Sequence, residues 1–128
     1  MSTLKTNTVQ HLTSGFNNVV AHTDGAGTAN AVHCRAWVSF NGQGSITVNS
    51  QFNVSSITDR GTGKYTVNFS NALTDQNYAM GAIAYDIVGL VATDYNAVNT
   101  SSAMSISVVD SRSASYSDYA LVTVVFFR

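Results

Sequence analysis

The residues of this chain that could do chemistry are its aspartates, its histidines, one cysteine and two tyrosines in polar loops. The chain has seven acidic residues, all aspartates, and no spacing singles out two of them as a glycosidase acid and base. Most occur in turn-like contexts, where aspartate is favoured because its carboxylate accepts backbone hydrogen bonds. The aspartates in such contexts are Asp59, Asp75, Asp94, Asp110 and Asp118. We therefore predict a protein that is not an enzyme and has no catalytic residues.

The histidines and the cysteine do not indicate a metal or cofactor site. His11, His22 and His33 lie eleven residues apart, which differs from the spacings of helical or tight-turn metal ligands. If three chains bundled about an axis, His11 or His22 of each chain could ligate one ion, and this alternative stays open. Cys34 is the only cysteine, so an intrachain disulfide is excluded, and we expect a buried small hydrophobe. No metal and no cofactor are predicted.

Two polar loops carry tyrosines in a setting that suits carbohydrate binding. In residues 93–96 (TDYN) and 113–119 (SASYSDY), tyrosines stand among serine, aspartate and asparagine. A sugar has an apolar face and a rim of hydroxyl groups, so an aromatic ring surrounded by polar side chains matches it. The alternative is that these residues only solvate the loops. The predicted receptor-binding residues are Asp94, Tyr95, Asn96, Tyr116 and Asp118.

The composition predicts an all-β protein that binds no nucleic acid and inserts into no membrane. Charged residues make up 10% of the chain and the net charge is -1, which offers no basic surface for a polyanion. Glutamate is absent and lysine is scarce, whereas serine, threonine, asparagine and valine are abundant, which disfavours helices. No apolar run approaches the roughly 20 residues of a membrane span. The N-terminal residues lack the apolar run of a signal peptide, so we expect synthesis in a cytoplasm.

Strand-like runs that recur about every eight to twelve residues predict an antiparallel β-sandwich head domain over residues 32–128. The predicted strands cover residues 33–40, 45–49, 52–57, 64–69, 78–90, 103–109 and 119–127, with a bend that divides 78–90 in two. NGQG at residues 41–44 predicts a hairpin turn, and the glycines of residues 58–63 predict a turn with positive φ. Within 64–69, alternation points Tyr65, Val67 and Phe69 inward and Thr66 and Asn68 outward.

Residues 1–31 are predicted to be an extended N-terminal arm and linker that serves attachment or trimerisation. Leu4, Val9 and Leu12 are too few apolar residues for an independent core. Short strands are expected in residues 4–10 and 16–21. The small residues of 23–31 (TDGAGTANA) predict the linker.

The first and last strands of the head domain predict a covering layer outside the sandwich. Trp37 shares its strand face with His33 and Arg35, so we expect it to pack against a neighbouring protomer or the arm. Residues 119–127 are apolar on both faces, although a strand of a small sandwich needs only one buried face. We therefore expect a homo-oligomer. The predicted subunit-interface residues are Trp37, Tyr119, Leu121, Val125 and Phe127.

Residues 34–81 resemble the C-terminal, receptor-binding module of bacteriophage tail fibres. The shared marks are AWV and FNG within residues 36–42, the block FNVSSITDRGTGKYTVNFSNAL at 52–73, and NYAMG at 77–81. The leader STLKTNTVQHLTSG, residues 2–15, resembles the short arm that precedes such modules in phage structural proteins. Residues 86–128 share no such motif with these modules and resemble them only in their general character.

The resemblance implies a virion structural protein, a short tail fibre or spike with a trimeric β-sandwich tip. The tip would bind a host-surface receptor, often a polysaccharide, and the arm would attach to another virion protein. The implied location is the virion, in the tail rather than the head. A second interpretation is a non-catalytic decoration or adaptor protein of head or tail, without receptor binding. A third, a polysaccharide-degrading spike, lacks an evident acid pair.

Overall fold

The computed structural model describes residues 20–24, 27–31, 33–85, 89–94 and 96–128. These residues form strands and turns and contain no helix, which confirms the all-β prediction. The chain divides into two compact units, Met1–Val32 and His33–Arg128. The strands of the described residues are β1 (Val20–Asp24), β2 (Gly27–Ala31), β3 (Cys34–Asn41), β4 (Thr47–Phe52), β5 (Val54–Asp59), β6 (Lys64–Phe69), β7 (Ala79–Ala84), β8 (Gly89–Thr93), β9 (Ala103–Asp110), β10 (Ser115–Tyr116) and β11 (Val122–Phe127).

The first unit contains an antiparallel hairpin of β1 and β2, with Val20 opposite Ala31 and Asp24 opposite Gly27. The prediction of a linker over residues 23–31 is wrong, because most of these residues pair in the hairpin. Small residues suit a linker and also allow close strand pairing, so composition does not distinguish the two. The predicted strand in residues 4–10 and most of that in 16–21 lie outside the described residues.

The second unit contains two antiparallel sheets, as predicted for a β-sandwich. The first sheet has the strand order β4-β3-β11-β7, and the second has the order β10-β9-β6-β5, with β8 also paired to β9. The predicted NGQG turn joins β3 to β4. The predicted glycine turn precedes β6, where Gly61 and Gly63 have φ values of 107° and 65°. The predicted division of residues 78–90 separates β7 from β8.

The core lies between the two sheets and is built from alternating residues of their central strands. Tyr65, Val67 and Phe69 of β6 are buried, as predicted. Phe126 makes edge-to-face contacts with Phe69 and Tyr78, at ring-centroid distances of 5.0 and 5.6 Å. The inward residues of β3 and β11 are Ala36, Val38, Phe40, Val122, Val124 and Phe126.

Thr66 and its strand partner Ser105 are buried although their side chains point away from this core. Their hydroxyl oxygens lie 2.8 Å apart and form a hydrogen bond. Arg60 precedes β6 and Asp94 follows β8, and the two form an ion pair of 2.9 Å. Because β6 and β9 lie between these two residues, the arginine side chain crosses the outer face of the sheet. Thr66 points outward as predicted but is not exposed, and we attribute its burial to this crossing.

Two other side chains lie on the side opposite to the predicted one. Cys34, predicted to be buried, begins β3 and is exposed. Tyr119, predicted to point outward with the subunit-interface residues, is only 7% exposed and belongs to the core. The alternation of the last strand fails there because β11 begins at Val122, whereas the Tyr119 carbonyl accepts a hydrogen bond from the Gly42 amide at 2.9 Å.

Asn53 separates β4 from β5 and has a positive φ of 55°. Its Nδ2 donates to the carbonyl oxygens of Arg35 and Asn71 at 3.0 and 3.1 Å. Its Oδ1 accepts a hydrogen bond from the Asn71 amide at 2.8 Å. The side chain therefore braces a backbone conformation that most residues avoid. This bend begins β5 two residues later than the pattern predicts.

We expect Asn53→Gly to lower the free energy of unfolding by about 1 kcal/mol, because the bracing hydrogen bonds are exposed and of modest strength. Asn53→Ala should lower it by about 2 kcal/mol, because alanine also disfavours a positive φ. Urea unfolding of both variants measures the difference. Equal losses in the two variants would contradict the role assigned to the backbone conformation.

Candidate ligand-binding groove

A groove of about 980 Å³ opens at the end of the sandwich where β7 and β9 finish and β11 begins. The segment 117–121, which precedes β11, forms much of its lining. The amide of Tyr85, just after β7, donates to the Leu121 carbonyl at 2.8 Å and extends the sheet into the groove wall. The groove therefore stands on regular strands of both sheets.

Asp118 ties the floor of the groove to the core. Its Oδ1 accepts hydrogen bonds from the Tyr65 hydroxyl at 2.5 Å and from the Gly63 amide at 2.6 Å. Tyr65 is only 1% exposed, and its ring lies edge-to-face with Phe40 at 5.0 Å. Burial raises the pKa of Tyr65, and the hydrogen bond to Asp118 and the charge of that carboxylate raise it further.

Two glycines allow the close packing beneath this floor. Gly63 has a positive φ, and a Cβ at this position would overlap the Val108 carbonyl oxygen and the Ser117 amide. A Cβ on Gly42 would overlap the Tyr65 hydroxyl. Glycine is needed at both positions because the backbone or a buried hydroxyl occupies the space of a side chain.

The groove walls combine exposed apolar side chains with carboxylates. Tyr85 is 73% exposed and Ile83 is 65% exposed, and both line the groove. Asp110 lines it from the end of β9, with one carboxylate oxygen accepting a hydrogen bond from the Arg112 amide at 2.8 Å. An exposed ring beside an aliphatic side chain and hydrogen-bond acceptors can hold the apolar face and hydroxyl rim of a sugar.

The predicted receptor-binding residues do not form one site. Asp94 is held in the ion pair with Arg60, and its side chain is 14% exposed. Tyr116 is half exposed, with the Lys64 ammonium 4.2 Å from its ring centroid. Register places Asp94 and Tyr116 on the outer face of the second sheet, whereas Asp118 belongs to the groove floor. Asn96 is exposed after β8, and Tyr95 lies outside the described residues.

Sequence reasoning did not select Ile83, Tyr85 or Asp110. Tyr85 ends an apolar run, so the pattern assigns it to a strand rather than to a binding surface. Its exposure comes from its place just beyond the end of β7, where the sheet stops. The sequence feature that could have identified Tyr85 is its position at the end of the predicted apolar run, because an aromatic residue at a strand end can face solvent.

The aspartates in turns follow the backbone chemistry that the sequence predicts. Asp59, Asp75 and Asp110 each accept a hydrogen bond from the amide two residues later, at 2.8 Å. The Arg128 guanidinium also pairs with Asp75, and the Asn77 amide and this arginine lower the pKa of Asp75. Three of the predicted turn aspartates are therefore confirmed in that role.

The predicted subunit-interface residues other than Tyr119 have partly exposed side chains. Trp37 and Val125 are register neighbours on the outer face of the first sheet, and the row continues to Phe52 and Gly81. Phe52 is 54% exposed, and Trp37, Val125 and Phe127 are half-buried. Leu121 is half-buried and lines the groove.

The described residues contain no group of three or more histidine, cysteine, aspartate or glutamate side chains that could hold a metal ion. The side chains of His11 and His22 lie outside that part of the chain. Among the described residues, no helix is long and apolar enough to cross a membrane.

Comparisons with protein-family models, with curated proteins and with solved structures find no match to this chain.

Proposed function

We propose that this chain is a non-enzymatic virion attachment protein, a short tail fibre or spike that binds a host-surface polysaccharide. The observation that carries the proposal is the groove, in which the exposed ring of Tyr85 stands beside Ile83 and Asp110. The resemblance of residues 34–81 to phage tail-fibre tips supplies the virion setting and favours the tail over the head. The arm would attach the protein to another virion component.

The structure of the floor suits a receptor that is bound without a change of shape. Asp118, Tyr65 and Gly63 are joined by short hydrogen bonds, so the groove is held by the core rather than by a free loop. Rigid sites lose less conformational entropy on binding, which matters for sugars because each contact contributes little. Several weak sites on one particle then give a higher overall avidity through multivalency.

We also propose that three copies assemble through the outer face of the first sheet. This face is defined by the row Phe52, Trp37, Val125 and Gly81, together with Phe127. The row contains no charged side chain, and strands β4 and β7 at the borders of this sheet contain no charged residue either. Charged or proline residues at sheet edges normally prevent association, so their lack favours a second copy as the covering layer.

We expect Tyr85→Ala to weaken polysaccharide binding at least about tenfold, because the ring is the most exposed large apolar side chain that lines the groove. The matched control is Tyr116→Ala, which removes a half-exposed tyrosine from the outer face of the second sheet. The measurement is binding of the purified protein to an array of bacterial surface polysaccharides, followed by calorimetry on those that bind.

Each result of this experiment decides between sites or functions. Loss of binding in Tyr116→Ala, with Tyr85→Ala unchanged, would move the site to the second sheet. Release of oligosaccharides from a bound polysaccharide would contradict the non-enzymatic proposal.

A second candidate function is a decoration or adaptor protein of head or tail. The row Phe52, Trp37, Val125 and Gly81 favours it, because this row without charged side chains could equally be covered by another virion protein. This candidate predicts no affinity for any polysaccharide and antibody labelling of the capsid or the tail tube.

A further inference from the structure

We infer that the groove selects uncharged and amine-bearing sugars and discriminates against sugars that carry carboxylate, sulfate or phosphate groups. This inference rests on the proposed function and names the class of ligand that the groove accepts. It follows from the distribution of charge around the groove rather than from its shape.

The charged side chains that line the groove have one sign. Asp110 and Asp118 both line it, and among its described lining residues there is no lysine or arginine. Asp118 is a half-buried floor residue with two donors fixed on one oxygen. Asp110 is fixed at the groove edge by the Arg112 amide. Both carboxylates are therefore held in place rather than free to turn away from a ligand.

The cations of the second unit are mostly engaged elsewhere. Arg60 pairs with Asp94, and Arg128 pairs with Asp75. Lys64 lies over the ring of Tyr116, on the outer face of the second sheet. Arg112, in the exposed turn after β9, is near in sequence to Asp110 but is not among the residues that line the groove. Among the described residues that line the groove, Asp110 and Asp118 are thus the charged groups that set the local field.

Carboxylates distinguish sugars by what their substituents can donate. Sugar hydroxyl and ammonium groups donate hydrogen bonds to a carboxylate, and an ammonium adds an opposite charge. An anionic substituent can donate nothing and is repelled, and the repulsion is strengthened in a partly enclosed groove because the effective dielectric constant is lower there. Tyr85 contributes contact area to all three classes, and the face of its ring can also attract an ammonium group.

The test uses sets of three oligosaccharides that share one backbone and differ at one position, with a hydroxyl, an amine or a carboxylate. For every set that binds, we expect the carboxylate member to bind about tenfold more weakly than the hydroxyl member at low salt. The amine member should bind at least as well as the hydroxyl member. Raising the salt concentration to about 0.5 M should narrow the difference in affinity between the carboxylate and hydroxyl members, because ions screen partly exposed charges.

Asp110→Asn should also narrow the difference in affinity between the hydroxyl and carboxylate members at low salt, and Asp59→Asn should leave that difference unchanged. The two variants are matched, because each changes the net charge equally at an aspartate whose Oδ1 accepts the amide two residues later at 2.8 Å, and Asp59 does not line the groove. A carboxylate member that binds as tightly as its hydroxyl partner would overturn the inference and leave the proposed function standing. The inference would also be overturned if the wild type and Asp110→Asn discriminated equally between the carboxylate and hydroxyl members. Absence of binding in every set would overturn both.

Discussion

Asp118→Ala is expected to lower the free energy of unfolding by about 3 to 5 kcal/mol. The substitution removes the acceptor of two short hydrogen bonds, from the Tyr65 hydroxyl and the Gly63 amide. Hydrogen bonds to a charged acceptor each contribute about 1.5 to 3 kcal/mol. In the variant the buried Tyr65 hydroxyl keeps only its longer hydrogen bond to the Gly42 carbonyl, at 3.3 Å. Equilibrium unfolding in urea, followed by fluorescence and circular dichroism, measures the loss.

A double-mutant cycle with Tyr65→Phe isolates the hydrogen bond from other effects of the substitution. Phenylalanine removes the buried hydroxyl, so in that background Asp118→Ala leaves one donor fewer unsatisfied. We expect the double variant to be more stable than the sum of the two single losses predicts, by at least about 1 kcal/mol. Strict additivity, or a loss below about 1 kcal/mol in Asp118→Ala, would contradict the account of the groove floor.

The role of Asp118 shows what sequence patterns do and do not reveal. Its place in SASYSDY indicates a polar loop, and short-range rules give aspartate a turn-forming role there. The partners of Asp118 are instead more than fifty residues away in the chain, at Gly63 and Tyr65. Only the pairing of β6 with β9 and of β9 with β10 brings these segments together. A local pattern carries no information about such a contact.

Strand alternation predicted most of the core because a two-residue period decides which side chains face the opposite sheet. The alternation holds through β6 and from Val122 onward, where each strand is paired on both sides. It fails at Tyr119, which precedes β11 and is shifted to the inside of the fold. It also could not show that the outward-facing Thr66 is buried, because the Arg60–Asp94 ion pair covers that part of the outer face. Both failures arise from contacts outside the strand that carries the pattern.

The groove was harder to predict than the core for a related reason. Its walls come from strand ends and from residues 117–121, which are adjacent only after both sheets have formed. Tyr85 and Ile83 belong by sequence to an apolar strand, and exposure distinguishes them from core residues. Residues 113–119 were expected near a ligand, because polar loops carry binding residues in many folds. Of the predicted residues, only Asp118 lines the groove, whereas Ile83, Tyr85 and Asp110 were not predicted.

The outer face of the first sheet has properties that a lone sandwich does not need. Phe52, Trp37 and Val125 lie side by side in register, and the Val125 side chain leans over Gly81, where a Cβ would lie 3.3 Å from its Cγ1. Because glycine has no side chain at position 81, the Val125 side chain can occupy this space. A largely aromatic row without charged side chains is typical of the centre of a subunit interface, where tryptophan often contributes most of the binding energy.

If three chains of 13.6 kDa associate through this face, Trp37→Ala should weaken the assembly at least about a hundredfold. Phe52→Lys should do the same without altering the core, because it places a charge on a side chain that is 54% exposed in one chain. Leu90→Ala is the control, since it removes an exposed apolar side chain from the other sheet. Light scattering of the native protein and sedimentation across a concentration series measure the association. A monomeric wild type, or a Trp37→Ala protein that stays trimeric at every concentration, would contradict the proposal that a second copy covers this face. If the wild type is monomeric, the proposed attachment function would have to operate through single sandwiches, without the gain in avidity that three grooves on one tip would provide.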